Sequence, residues 1–130
     1  MSQNRGMTQP LALFLNERLL PAGQLVNRLQ DIGYRVQSVS DPASLIEEAE
    51  KEKPLLVMVD LEPRQEEICA AIASLKQNAA TAHLPVIAFA SSAQPAIEEA
   101  ARGAGATLVV TDTAILLHLE QFLDQALQVE

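Results

Sequence analysis

The chain is poor in the features that mark secreted, membrane-spanning or disulfide-stabilised proteins. It has one cysteine in 130 residues, which excludes an internal disulfide and fits a reducing cytoplasm. No apolar run approaches the length of a transmembrane helix, and the polar start MSQNRGMTQP lacks the apolar core of a signal peptide. We therefore expect a cytoplasmic protein that does not associate with membranes, with a disordered tail at residues 1–9 and one domain at residues 10–130.

Basic residues are also scarce. Nine Lys and Arg residues stand against 17 Asp and Glu residues, which gives a net charge of −8, and Arg102 is the only base after Lys76. Binding to nucleic acid depends on a basic patch that neutralises phosphates. The composition therefore argues against a nucleic-acid partner.

The signatures of common enzyme sites are missing as well. The chain has no glycine-rich phosphate loop of the P-loop or dinucleotide type. Its two histidines, His83 and His118, lack a zinc-binding spacing. No Ser/His/Asp or Cys/His set has an evident role. We therefore expect a protein that is not an enzyme and that carries no organic cofactor.

Short apolar runs alternate with amphipathic stretches of about ten residues, which is typical of βαβ units. The pattern predicts strands at residues 11–15, 34–39, 55–60, 85–90 and 108–110, and helices that begin near Pro21, Asp41, Gln65, Pro95 and Thr113. The fourth helix is expected to end before Gly103 and the last to reach Val129. The nearly continuous apolar character of the last three strands indicates a parallel sheet covered on both faces.

A carboxylate ends the third of these strands. The apolar run PLLVMVD, residues 54–60, finishes at Asp60. Open parallel sheets carry their chemistry at the edge where the strands end, so Asp60 is the leading candidate for a functional residue. Two other interpretations stay open: a metal-binding or hydrogen-bonding group, and a strand-end residue without chemistry.

Residues 11–129 resemble a bacterial response-regulator receiver domain of the CheY-like family. The resemblance rests on the segment LKQNAATAHLPVIAFAS at residues 75–91, on the strand ending at Asp60, and on the GA-containing turn before LVV at residues 105–110. It implies an α/β, flavodoxin-like, doubly wound sheet of five parallel strands in the order 2-1-3-4-5. In that family an aspartate on the third strand accepts a phosphoryl group from a histidine kinase with the help of Mg²⁺. The matching position here is Asp60.

The positions that assist phosphoryl transfer in this family hold other residues here. The hydroxyl position at the end of the fourth strand falls on Ala90, the lysine position on Thr111 and the aromatic reporter position on Leu108. Asp112 adds a negative charge where the family usually has proline. The loop after Asp60 is about three residues shorter than the usual one and has no glycine for the same turn. The resemblance therefore implies a degenerate receiver.

The magnesium-binding positions are altered too. The acid pair after the first strand falls on Asn16 and Glu17, so one carboxylate has become an amide. Asn16, Glu17, Asp60 and Glu62 could still supply oxygen ligands, which are the ligands that Mg²⁺ prefers. We expect at most a weak Mg²⁺ site.

The arrangement of apolar residues in the last helix predicts a protein-binding surface there. Its apolar residues cover about 160° of a helical wheel, where roughly 100° would suffice to cover a sheet, and Leu117 lies outside even that arc. In receivers the fourth helix, fifth strand and fifth helix form the usual dimer or effector face. We therefore expect a homodimer or a protein partner (a kinase, a scaffold, another receiver or an effector) at this face. The expected contact residues are Ile97, Leu108, Ile115, Leu119 and Phe122.

Together these patterns predict a stand-alone, atypical receiver-like domain that acts as a protein-interaction module in bacterial two-component or phosphorelay signalling. Phosphorylation is expected to exert little or no control over it. The alternative is a phosphorylatable receiver that accepts a phosphoryl group on Asp60 with Mg²⁺.

Overall fold

The computed structural model describes residues 9–62 and 64–128, which form five strands and six helices. In chain order the elements are β1 (Leu11–Leu15), α1 (Ala22–Asp31), β2 (Arg35–Val39), α2 (Pro42–Glu52), β3 (Leu56–Asp60), α3 (Gln65–Gln77), β4 (Val86–Ala90), α4 (Pro95–Ala104), β5 (Leu108–Thr111), α5 (Asp112–Leu117) and α6 (Leu119–Gln128). Residues 1–8 of the tail expected at residues 1–9, and the expected helix end at Val129, lie outside the described residues.

The five strands form one parallel sheet in the order β2-β1-β3-β4-β5. The expected flavodoxin-like, doubly wound arrangement is confirmed. Strands β1, β3 and β4 are central and buried along their whole length, as their continuous apolar sequences require. Because all strands run the same way, Leu15, Asp60, Ala90 and Thr111 end at the same side of the sheet. We call this side the carboxyl edge.

Helices cover both faces of the sheet. Helices α2, α3 and α4 pack on one face through a cluster that includes Leu45, Ile72 and Ala101. Helices α1, α5 and α6 pack on the other face with residues such as Leu25 and Ile115. Burial of this apolar surface is the main favourable contribution to folding, at about 25 cal/mol per Å².

Local signals in the sequence set several helix boundaries. The Asp41 side chain accepts a hydrogen bond from the Ala43 amide and Pro42 takes the first helical position, as predicted for α2. Gly33 follows α1 with a φ of 98°, so the predicted glycine stop is confirmed. Helix α4 runs past Gly103, and the predicted end there is wrong. The chain turns instead at Gly105, whose φ is 122°.

The last predicted helix is broken at His118, which has a non-helical φ of −126° and ψ of 35°. The two segments each turn their own apolar residues onto the sheet, so the described residues of the wide apolar arc are buried or half-buried. Ile115 and Leu119 are 0% and 1% exposed. The prediction that these two residues contact a partner is therefore wrong for this arrangement. The outward-facing residue is Leu117, which is 68% exposed.

Three other residues of the predicted partner face are half-buried. Ile97 packs against the core on the α4 side of the sheet, and Leu108 packs against the core on the opposite side. Phe122 is in edge-to-face contact with His118, with ring centroids 6.2 Å apart. Their role in binding a partner stays a prediction.

Candidate functional site at the carboxyl edge

The Asp60 carboxylate is buried and is held by an arginine from the β1–α1 connection. Arg18 Nε donates to Asp60 Oδ2 at 2.7 Å, and Arg18 Nη2 donates to Oδ1 at 2.9 Å. The Asp60 side chain is fully buried, while that of Arg18 is 25% exposed. Both carboxylate oxygens are thus engaged by one planar guanidinium, which is the strongest geometry for this kind of pair.

The same guanidinium also binds the start of α5. Arg18 Nη1 and Nη2 lie 3.1 Å from the two carboxylate oxygens of Asp112. The Thr111 hydroxyl accepts a hydrogen bond from the Ala114 amide and so caps α5, which fixes the neighbouring Asp112. Arg18 therefore ties three separate connections together: the one after β1, the end of β3, and the junction of β5 and α5.

Glu62 forms the outer part of the site. Its amide donates to Asp60 Oδ1 at 3.0 Å, and its carboxylate lies 3.8 Å from Arg18 Nη1. The same carboxylate accepts a hydrogen bond of 2.6 Å from the Ser91 amide, just after β4. The backbone amides of Glu62 and Ser91 thus already bind carboxylate oxygens of the chain itself.

At this site one guanidinium, that of Arg18, faces the carboxyl groups of Asp60, Glu62 and Asp112. Burial raises the pKa of Asp60 above its ordinary value, and the hydrogen bonds from Arg18 and Glu62 oppose that shift. The hydrogen bond to Asp60 raises the pKa of the Arg18 guanidinium further above its already high value. Both pKa values rise, but burial disfavours the charged form of Asp60, whereas the hydrogen bond to Asp60 favours the charged form of Arg18. The hydrogen bond with Ser91 lowers the pKa of Glu62.

The four expected magnesium ligands, Asn16, Glu17, Asp60 and Glu62, line one cleft, but their carboxylates are engaged by other groups and are not arranged around a metal position. Glu17 pairs with Arg64 at 2.6 Å, and Asp60 is occupied by Arg18. Asn16 donates its backbone amide to the Val39 carbonyl at 3.0 Å. Among residues 9–62 and 64–128, no three His, Cys, Asp or Glu side chains are grouped so that they could hold a metal ion. As arranged, these side chains do not fit Mg²⁺, because a guanidinium cation already occupies the oxygens of Asp60.

Two of the other positions that the resemblance singled out, Ala90 and Thr111, also lie at this edge. Ala90 and Thr111 are paired in the register of β4 and β5, so the methyl group of Ala90 stands where a hydroxyl was expected in the family. The Thr111 hydroxyl is used for capping α5. Leu108 lies at the far end of β5, packed against the core. None of the three offers a second cation.

Arg18 is the functional residue that the sequence analysis missed. The sequence does indicate such a residue: Asp60, Glu62 and Asp112 are all expected near one edge, and buried carboxylates require a compensating cation. Arg18 is the base that follows β1 directly, two residues after Asn16. The resemblance placed the expected cation at Thr111, at the end of β5, whereas Arg18 reaches the site from the β1–α1 connection.

The fold has clear counterparts among solved structures. The architecture is that of CheY-like response-regulator receiver domains. The receiver domain of a sensor histidine kinase from Pseudomonas aeruginosa, crystallised with a magnesium ion in its active site cleft, superposes with a TM-score of 0.83 at 17% identity, covering 94% of this chain and 100% of that one. Chemotaxis protein CheY4 of Vibrio cholerae gives a TM-score of 0.80 at 15% identity, covering 92% and 99%.

A third similar structure is the receiver domain of a modulated diguanylate cyclase from Desulfovibrio desulfuricans. It has a TM-score of 0.76 and 20% identity, covering 92% of this chain and 94% of that one. No protein-family model and no curated protein sequence gives a significant match. At these identities the likeness establishes the receiver fold. No helix in the described residues has the length and apolar character needed to cross a membrane.

Proposed function

We propose that this chain is a receiver-fold interaction module of cytoplasmic two-component signalling whose acceptor site is closed by Arg18. The observation that carries the proposal is the two-point pair between Arg18 and the buried carboxylate of Asp60. The module binds protein partners through a fixed surface and does not use a phosphorylation cycle. It has no catalytic role of its own.

The chemistry of acyl phosphate formation explains why the pair closes the site. One oxygen of the aspartate has to attack phosphorus while cations neutralise the charge on the transferred group. Here both oxygens accept hydrogen bonds from a guanidinium, and Arg18 is further held by Asp112. Attack would require Arg18 to move away, which would leave the buried Asp60 carboxylate without its ion-pair partner. That loss costs several kcal/mol for a buried ion pair.

The neighbouring groups support the same conclusion. A phosphoryl group on Asp60 would meet the Asp112 and Glu62 carboxylates, which repel it. The Ser91 amide, which points to this edge, is taken by Glu62. Side chains of this protein therefore occupy both groups already: the Glu62 carboxylate binds the Ser91 amide, and the Arg18 guanidinium binds Asp60.

One observation favours a second candidate, a phosphorylatable receiver. Asp60 keeps the strand-end position of an acceptor, and arginine is a strong binder of phosphate. In that case Arg18 would swing to the phosphoryl oxygens and take the place of the missing lysine. This candidate needs Arg18 and Asp60 to separate during the reaction.

The experiment is incubation of the purified chain with Mg²⁺ and acetyl phosphate, followed by intact mass measurement. The proposal predicts no phosphorylated species for the wild type. The Arg18→Ala variant is measured alongside the wild type, because it removes the guanidinium that binds Asp60 and leaves the carboxylate itself unchanged. A phosphoryl adduct on the wild type that disappears in Asp60→Asn would overturn the proposal in favour of the second candidate.

A further inference from the structure

A cavity lies at the amino end of the sheet, opposite the carboxyl edge. It has a volume of about 340 Å³ and lies between the α2–β3 connection and the α3–β4 connection. Its apolar wall consists of Ala49, Pro54, Ala80 and Leu84, and all of these except Ala80 are buried. This volume is at the lower end of the range for small-molecule sites. The cavity therefore suits a small ligand with an apolar body.

The two connections that enclose the cavity are held by hydrogen bonds within the chain. Lys76 Nζ donates to the Leu84 carbonyl. Asn78 Nδ2 donates to a carboxylate oxygen of Glu50, which ties the α3–β4 connection to α2. The Asn78 side chain also accepts the Ala80 amide at 2.9 Å. The cavity is therefore preformed, and a ligand loses little binding energy to ordering of its walls.

Two hydrogen-bond donors without a partner line this cavity. Among residues 9–62 and 64–128, six of the eight Lys and Arg residues bind an acceptor of the chain: Arg18, Arg28, Arg35, Arg64, Lys76 and Arg102. The described residues supply no acceptor for the other two, Lys51 and Lys53, and of these Lys53 lines the cavity. His83 lines it too, and the described residues supply no partner for its ring, which can donate a hydrogen bond. An ammonium and an imidazole beside an apolar wall suit an anion with an apolar body.

The backbone at Lys53 supports a role for its side chain. Lys53 follows α2 with a φ of 51° and a ψ of 60°, and it is the one non-glycine residue with a positive φ in the part of the chain that the structure describes. Glycine adopts this left-handed conformation at a lower cost. Residues held in such conformations cluster at binding and active sites.

The surroundings of the cavity favour a ligand with a single negative charge. Glu50 also lines the cavity, and the C-terminal end of α2, where the helix dipole is negative, lies beside it. A dianion such as a phosphate monoester would be repelled by both, with one ammonium to compensate. A carboxylate carries one charge, and its two oxygens can accept hydrogen bonds from an ammonium and an imidazole.

We propose that this cavity binds a small organic carboxylate, with the apolar body of the ligand against Ala49, Pro54 and Leu84 and its carboxylate at Lys53 and His83. The site goes beyond the proposed function, because it lies at the end of β3 opposite Asp60 and uses no residue of the carboxyl edge. The ligand contacts both connections, so its binding stabilises the folded chain.

The probe is 3-phenylpropionate, compared with the uncharged 3-phenylpropanamide and the cationic 3-phenylpropylamine. Binding is followed through the backbone amide signals of the isotope-labelled chain. 3-Phenylpropionate should shift the signals of Lys53, His83 and Leu84 and approach saturation by about 20 mM, since ligands of this size bind at millimolar concentration or tighter. The amide and the amine should bind at least about fivefold more weakly, because neither carries the negative charge.

Substitutions locate the site. Lys53→Gln should weaken binding of 3-phenylpropionate by about fivefold, because it removes the ammonium. The matched control Lys51→Gln removes the same charge two residues away and outside the cavity, and it should leave the affinity unchanged. Ala80→Leu fills the cavity from an exposed position and should weaken binding by about tenfold or more. Urea unfolding checks that each variant is folded.

Three results would overturn the carboxylate site. The first is the absence of saturable shifts of Lys53 and His83 with 3-phenylpropionate. The second is equal binding of 3-phenylpropionate and 3-phenylpropanamide, which would mean that the charge is not recognised. The third is an equal loss for Lys53→Gln and Lys51→Gln, which would mean that only the overall charge attracts the probe. These measurements need neither Mg²⁺ nor a phosphodonor, so their outcome is separate from that of the acetyl phosphate experiment.

Discussion

Arg18 and Asp60 are 42 residues apart in sequence and form a two-point ion pair, with Nε to Oδ2 at 2.7 Å and Nη2 to Oδ1 at 2.9 Å. We call this pair a structural joint, because it links the end of β3 to the β1–α1 connection. Through Asp112 the joint extends to the first turn of α5. The consequences of this arrangement are open to measurement.

Removal of the arginine should destabilise the fold. Arg18→Ala leaves the Asp60 carboxylate buried without a partner, and we expect a loss of about 2–3 kcal/mol in the free energy of unfolding, measured in urea. Arg18→Lys should recover part of it, since an ammonium keeps the charge but not the planar two-point geometry. The control is Arg64→Ala: Arg64 also pairs with acids but is 43% exposed, so the loss should be smaller than that of Arg18→Ala. Equal losses for Arg18→Ala and Arg64→Ala would contradict a structural role for the joint.

Arg18 should be coupled more strongly to Asp60 than to Asp112. The Asp60 side chain is fully buried and its contacts are shorter, whereas that of Asp112 is 19% exposed with contacts of 3.1 Å. Double-mutant cycles with alanine at each position should give a coupling energy of about 2 kcal/mol for the first pair and about 1 kcal/mol for the second. The reverse order would mean that Arg18 chiefly anchors α5.

Acid titration tests the electrostatics of the site. Because burial raises the pKa of Asp60 in the folded chain, the folded state takes up this proton at a higher pH than the unfolded state. The contribution of this group to stability is fully present below its unfolded pKa of about 4 and is lost as pH rises through its folded pKa. The difference in unfolding free energy between the wild type and Asp60→Asn should therefore shift in favour of the wild type as pH falls from about 7 to about 4.

Glu62 gives the opposite sign and serves as the comparison. The hydrogen bond with Ser91 lowers the pKa of Glu62, so its contribution is present above the unfolded pKa and is lost as pH falls through the folded one. The free energy of unfolding of the wild type, taken relative to that of Glu62→Gln, should therefore decrease as the pH falls. If the Asp60 and Glu62 series shift in the same direction, the hydrogen bonds from Arg18 outweigh the burial of Asp60.

Gly105 should be intolerant of a side chain. Its φ of 122° disfavours other residues, and a Cβ there would lie 2.5 Å from Lys76 Cγ. Gly105→Ala should cost more than about 1 kcal/mol in the free energy of unfolding. Gly103 lies inside α4 with nothing within 4 Å of a built Cβ, so Gly103→Ala should be neutral or stabilise by about 0.5 kcal/mol. A neutral Gly105→Ala would mean that the turn after α4 adapts readily.

Local patterns were enough to predict the architecture. Apolar strands and capped helices are encoded within a few residues, as the Asp41 cap and the Gly33 stop show. With right-handed crossovers they leave few topologies. The break at His118 was not predictable in this way, because no proline or glycine marks it and only packing against the sheet decides it. As a result Ile115 and Leu119 were wrongly assigned to the surface.

The composition of the site was harder to predict than its location. The edge itself follows from the parallel sheet, and Asp60 was placed correctly at its end. The identity of the cation depends on which distant side chain reaches the carboxylate: the resemblance predicted it at position 111, which holds threonine, and the structure has Arg18. A count of charges at the edge would have shown that Asp60, Glu62 and Asp112 need a base, and Arg18 is the base next to them.

The most direct test of the closed acceptor site is the Nε–H signal of Arg18 in isotope-labelled protein, followed while Mg²⁺ and beryllofluoride, a mimic of the phosphoryl group, are added. The account predicts that the signal, which reports the bond to Asp60, stays in place and that Arg18→Lys lacks it. Saturable movement of this signal in the wild type, absent in Asp60→Asn, would show that Arg18 yields the carboxylate to a phosphoryl mimic and would contradict the account.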